Sequence, residues 1–154
     1  AGVIFYSYLN DFKTAKKYFT LAIRHRPLYA QAYENLGNCF KQENDIEKTV
    51  ECYKKSIEIN PKQYTAYMSL INLFFEKKQY DKTIKVINVA YNSFPENYEL
   101  KAQEANSYLM KGDTINAIKN FEEAYKLNPN QNLARFLQKK YLENGDTLNS
   151  IRFR

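Results

Sequence analysis

The chain has 154 residues, a formal net charge of +6 and an aromatic share of 16%, all of it Tyr and Phe with no Trp. That length suffices for one short helical array, and no apolar run approaches the roughly twenty residues that cross a bilayer, so no transmembrane segment is expected. The charge reads as scattered and mostly next to acid, as in Lys16-Lys17, Glu47-Lys48 and Glu122-Glu123, which describes a solvated face; a basic total of this size permits nucleic acid or anionic lipid as a partner, but no dense Lys/Arg run argues for either, and nucleic acid is not expected.

The four prolines, Pro27, Pro61, Pro95 and Pro129, stand at a constant spacing of 34 residues. A fixed period of that size marks stacked helix-turn-helix units, each proline ending the helix that leads into it. Residues 1–29 read as the tail of an earlier unit, with Tyr6 in its first helix and Ala15, Phe19 and Ala22 in its second. The unit 30–63 places Tyr33, Leu36, Gly37 and Phe40 on one face of a first helix and Thr49, Tyr53 and Ser56 on one face of a second. The unit 64–97 repeats this with Tyr67, Leu70, Ile71 and Phe74, then Thr83, Ile87 and Ala90. The unit 98–131 departs from it at Lys101 and Glu104, which should loosen the contact of its first helix. Residues 132–154 open a fifth unit, echoing 108–118 at an offset of 33, so one residue is lost in its first helix or in the preceding turn. Both ends fall inside a unit, and the chain reads as a single array, 1–154, that is a fragment of a longer protein.

The turns support the same register. Asn10-Asp11, Asn44-Asp45, Gly112-Asp113 and Gly145-Asp146 each offer a residue tolerant of positive φ followed by a helix-capping aspartate. Lys78-Gln79 offers neither, so that turn should be capped less well, with Asp81 as the substitute.

The order aromatic, Leu, Gly, aromatic, then Ala, aromatic, Ala, then Pro resembles the tetratricopeptide repeat, most closely over Ala32-Tyr33-Glu34-Asn35-Leu36-Gly37-Asn38. The resemblance implies an all-α, right-handed α-solenoid whose first helices line a concave groove. Asn38, Asn72 and Asn106 recur there at the repeat spacing, beside Asn35, Ser69 and Gln103. Gln31, Glu34, Lys41, Thr65, Met68, Phe75, Glu99, Leu109 and Met110 occupy further groove positions. An asparagine ladder can pair with the backbone of an extended peptide through its donors and acceptor. The same residues can instead cap, hydrate or bridge adjacent first helices. Members that hold a free C-terminal carboxylate carry basic residues where this chain has Glu34 and Glu99, so a carboxylate clamp is not expected.

Sites for chemistry are scarce. The sequence has no phosphate-loop, dinucleotide, zinc-protease or serine-hydrolase motif, and its one histidine, His25, sits between Arg24 and Arg26 near a helix end. Cys39 and Cys52 read as small buried side chains of a reducing compartment or of a disulfide-free protein rather than a disulfide or zinc pair, with a cytoplasmic setting favoured but the compartment left open. The expectation is therefore no catalytic residue, no metal, no cofactor and no small-molecule substrate. What remains is a scaffold for a protein or peptide partner. The alternative is a noncatalytic positioning module of a larger enzyme, secretion or envelope assembly that self-associates through open repeat ends.

Overall fold

The computed structural model describes residues 2–7 and 11–153, the side chains of Phe5 and Ser7 aside. The described residues form ten α-helices and no strand: α1 (Gly2–Ser7), α2 (Phe12–His25), α3 (Ala30–Gln42), α4 (Ile46–Ile59), α5 (Tyr64–Glu76), α6 (Tyr80–Ala90), α7 (Tyr98–Met110), α8 (Thr114–Leu127), α9 (Gln131–Glu143) and α10 (Thr147–Ile151). They pack pairwise in the manner of stacked helical repeats and divide into two compact units, one up to Leu73 and one from Phe74.

The turns after α3, α5, α7 and α9 repeat one backbone design. In each, the N–H of the residue that precedes the next helix reaches back to a carbonyl five residues earlier: Asp45 to Phe40 at 3.0 Å, Gln79 to Phe74 at 2.8 Å, Asp113 to Tyr108 at 2.9 Å and Asp146 to Tyr141 at 2.8 Å. That closure requires a left-handed residue in between, and the chain supplies Asn44 and Lys78 at φ 56°, Gly112 at 83° and Gly145 at 76°. Lys78 thus takes the strained conformation although its sequence does not favour it. The caps behave differently. Asp11, Asp45, Asp113 and Asp146 each accept the backbone N–H three residues on, at 3.0 to 3.2 Å. Gln79 makes no such bond, and Asp81 is engaged elsewhere, taking Lys111 Nζ at 2.5 Å. The Asn10 part of the first turn lies outside the described residues.

The shortened fifth unit is explained by its entry. Two residues separate Pro95 from Tyr98, where α7 begins, and only Asn130 separates Pro129 from Gln131, where α9 begins, while both helices have 13 residues. The missing residue belongs to the turn.

In the first unit α1 packs on α2, α2 on α3 and α3 on α4, around Ala15, Phe19, Leu36, Cys39 and Cys52. Gly37 is required here by contact, since a Cβ on it would lie 2.7 Å from the Tyr53 ring. Ser56 Oγ donates to the Ala30 carbonyl at 2.9 Å and ties the end of α4 to the start of α3. Ile71, in a place where the repeat that the sequence resembles usually has a small residue, is fully buried with Tyr67, Leu70 and Leu73. In the second unit α6 packs on α7, α7 on α8, α8 on α9 and α9 on α10, around Ala105, Ala117, Phe121 and Leu137 with Phe153. Contrary to expectation, Lys101 and Glu104 do not loosen α7. Glu104 is buried and accepts from Tyr91 Oη, and Lys101 Nζ meets Glu123 Oε2 at 2.7 Å, so polar partners replace the usual apolar contact.

Candidate functional site

In the first unit the first-helix face is carried by α3 and by α5 up to Leu73. The residues expected on this face are Gln31, Glu34, Asn35, Asn38 and Lys41 of α3, with Thr65, Met68, Ser69 and Asn72 of α5. Their burial differs. Gln31 and Asn72 are exposed, and Asn35, Asn38, Lys41, Met68 and Ser69 are half-buried.

Glu34 has become internal. It is 5% exposed, and its Oε2 accepts from Gln63 Nε2, from Thr65 Oγ1 at 2.8 Å and from Gln31 Nε2 at 3.4 Å. A carboxylate withdrawn from water needs such donors, and here amides and a hydroxyl supply them. Gln63 also reaches Gln31 Oε1 at 3.3 Å, so the acid joins α3 to the start of α5.

Asn38 is oriented from behind. Tyr53, 1% exposed in α4, donates its hydroxyl to Asn38 Oδ1 at 2.6 Å, and the Ser69 hydroxyl bonds to the same phenol. Burial, followed by the nearby Tyr6 and Glu34, raises the Tyr53 phenol far above the usual tyrosine range, so it is a permanent donor at neutral pH. With its oxygen engaged by Tyr53, the Asn38 side chain retains its N–H donors for any further bond. One hydroxyl therefore bridges α3, α4 and α5, and it gives two of the expected site residues, Asn38 and Ser69, a bridging part as well. The pattern of Tyr and Asn in the sequence gives no sign of this link, because the partners are 15 and 16 residues apart and in different helices.

In the second unit Phe75 and Tyr80 meet edge to face with ring centroids 5.4 Å apart. On α7, Gln103 and Asn106 are half-buried, Glu99 and Met110 are exposed, and Leu109 packs against the core of that unit. The Gln103 carbonyl accepts from Ser107 Oγ at 2.8 Å.

One feature lies outside the expected set. The first unit holds an open concavity of about 490 Å³ between α3 and α4, lined among others by Tyr33, Phe40, Cys52, Lys54 and Glu58. The thiols of Cys39 and Cys52 are free, and burial pushes both up to about 11. His25 is exposed at the end of α2. Among the described residues no group of three or more His, Cys, Asp and Glu is placed to hold a metal ion, and no helix is long and apolar enough to cross a membrane.

The tetratricopeptide-repeat profile matches residues 30–63 and again 98–131. Solved structures with the same fold include MamA from Desulfovibrio magneticus RS-1, at 15% identity and a TM-score of 0.70 over 93% of this chain and 81% of that one. PilF of Pseudomonas aeruginosa is 17% identical with a TM-score of 0.74, covering 99% of this chain and 69% of that one. A thermophilic tetratricopeptide-repeat protein of Thermus thermophilus is 18% identical with a TM-score of 0.61, covering 99% of this chain and 84% of that one. At such identities the likeness is one of fold, and this fold is typically a noncatalytic scaffold. With the repeat profile matched in both units, the helices paired as the repeat requires and the fold shared with these proteins, the chain is a tetratricopeptide-repeat protein, its domain of a kind that generally serves protein interaction.

Proposed function

We propose that the chain is a noncatalytic scaffold that captures an extended peptide segment of a partner protein along its first-helix amides. The observation that carries this reading is the Tyr53 hydroxyl on Asn38 Oδ1, which occupies the amide oxygen and leaves the N–H donors of Asn38 for a partner. Donors fixed in that way suit the backbone carbonyls of an extended segment, whatever its side chains. In the first unit Asn38 and Asn72 bear the role, with Asn35, Gln31, Lys41, Met68 and Ser69 around them. In the second unit Gln103 and Asn106 act on α7, and Phe75 offers an apolar contact. Glu34 contributes by holding α3 to α5. An acid in that position also disfavours a free C-terminal carboxylate as the recognised group.

The test is capture of a partner by the chain with Asn38, Asn72 and Asn106 all replaced by Ala. Loss of capture with unchanged helical circular dichroism is expected. Undiminished capture by the triple variant sinks the proposal.

A second reading is self-association, favoured by the exposed Leu142 of α9 and Leu148 and Ile151 of α10. It requires a mass that rises with concentration in sedimentation, and Leu148→Asp should return the chain to a monomer.

A further inference from the structure

We infer that the outward face of α2 docks on an anionic lipid surface. The positive charge of the chain is concentrated there. Residues 12–33 hold five Lys/Arg and no Asp or Glu, while the rest of the chain holds eighteen against seventeen. A +6 total thus conceals one strongly basic segment within an otherwise balanced surface.

Helix geometry sorts these cations. Ala15 and Phe19 point into the core, which leaves Lys13, Lys17, Leu21 and Arg24 on the opposite side at helical spacings of four, four and three. All four are exposed. Lys16 leaves the stripe, turned to the Glu43 carboxylate at 2.5 Å, and the Asp11 carboxylate at the start of α2 is engaged as its cap. Past the helix end Arg26 lies over the Tyr29 ring with its guanidinium 5.8 Å from the centroid, and Leu28 between them is 80% exposed. Leu21 is 45% exposed amid the lysines.

Cations alone would suit any polyanion. The interleaved leucines and tyrosine favour lipid, because apolar side chains can enter the headgroup boundary while Lys and Arg stay at the phosphates. Shape argues the same way. A projecting helix face is convex and suits a broad deformable surface, whereas a bound peptide needs a groove. The attraction is one of moderate strength, reversible and sensitive to salt, since the exposed cations Lys13, Lys17, Arg24 and Arg26 lie at the lower end of what clusters of this kind use.

The experiment is co-sedimentation of the full chain with vesicles of phosphatidylcholine alone or with about one third phosphatidylserine, at low and high salt. Binding is expected to the serine-containing vesicles only, with release at high salt. Lys13→Gln together with Lys17→Gln should weaken the partition about 25-fold, each cation near such a surface being worth about fivefold. Leu28→Asp should weaken it as well. Arg135→Gln with Lys139→Gln on α9 makes the same change in net charge and should weaken it less than about threefold. Circular dichroism of each variant checks the fold. Equal binding to both vesicle types, binding to neither, or an α9 variant as impaired as the α2 variant overturns the inference. Binding of polyglutamate without binding of vesicles also overturns it and assigns the face to an acidic protein.

Discussion

The Tyr91 hydroxyl, just beyond α6, donates to Glu104 Oε2 of α7 at 2.8 Å, and the Lys101 ammonium stands 4.7 Å from the centroid of the same ring. Glu104 is 8% exposed at a position where the repeat normally places an apolar side chain. Burial, the bond to Glu104 and the Glu104 charge together raise the Tyr91 phenol far above its ordinary range, so the proton stays on the tyrosine. Tyr91→Phe should therefore cost about 1–3 kcal/mol, the cost of leaving a buried acceptor short of a donor. Glu104→Leu alone strands the Tyr91 hydroxyl and should also destabilise by about 1–3 kcal/mol, whereas Tyr91→Phe combined with Glu104→Leu removes both partners and should be nearly neutral. Urea denaturation measures all three. Equal stability of Tyr91→Phe and the native chain would show that this bond contributes nothing.

Equivalent turns should respond with opposite signs. Lys78 holds φ 56° with a side chain that disfavours it, so Lys78→Gly is expected to stabilise by about 0.5–1 kcal/mol. Gln79→Asp adds the cap its counterparts have, worth about 1 kcal/mol more. At Gly112 a Cβ would touch nothing, so the cost of Gly112→Ala is pure backbone strain of about 1–2 kcal/mol. Melting temperatures of the three variants decide the matter, and a destabilising Lys78→Gly would contradict it.

Acid should weaken the helix starts. Asp11, Asp45 and Asp113 have carboxyls held below the usual 3.8, first by their side-chain bonds to Thr14, Lys48 and Asn116, and Asp146 first by the backbone N–H of Asn149. A group depressed in the folded state stabilises above its unfolded value, and that contribution is lost as pH falls through about 3.8 toward the folded value. Stability should thus hold steady through neutral pH and decline below about pH 4. Replacing the four aspartates by Asn keeps a capping side chain but removes the titration. Thermal unfolding of that variant at about pH 7, 5 and 3 should show a shallower acid decline, and an unchanged slope would assign the acid sensitivity to other carboxylates.

The thiols should be silent. With Cys39 and Cys52 at about 11, roughly one in a thousand is ionised at pH 8, and both are buried besides. Iodoacetamide at that pH should label neither in the native chain within minutes and both in denaturant. Rapid native labelling would indicate that the α2, α3 and α4 core opens readily.

Much of the fold was legible because the repeat writes it locally. Each proline marks an exit from a helix, and each aspartate cap lies three residues from the N–H it accepts, so position alone was enough. The Lys78 turn is capped less well, as its residues imply, since Gln79 makes no side-chain cap, and Lys78 still turns left-handed because the backbone pair from Lys78 and Gln79 to Phe75 and Phe74 imposes that conformation whatever the residue. Asp81 was misread because its partner, Lys111, is 30 residues away. The site was less legible for the same reason. Repeat register assigned side chains to the first-helix face, yet what Glu34 and Asn38 do there depends on Gln63, Thr65 and Tyr53, which lie 29, 31 and 15 residues on. The basic stripe on α2 was hidden by reading charge as a total.

Glu34 and Glu104 are both buried acids, but their company differs in kind. Around Glu34 the donors are uncharged, two glutamines and a threonine. Glu104 shares Lys101 with Glu123, and both Lys101 and Glu123 are partly open to water. Mobile ions screen the second arrangement and leave the first untouched. The two units should accordingly part company in strong salt, with amide hydrogen exchange quickening at the α7 and α8 contact while α3 and the start of α5 keep their protection.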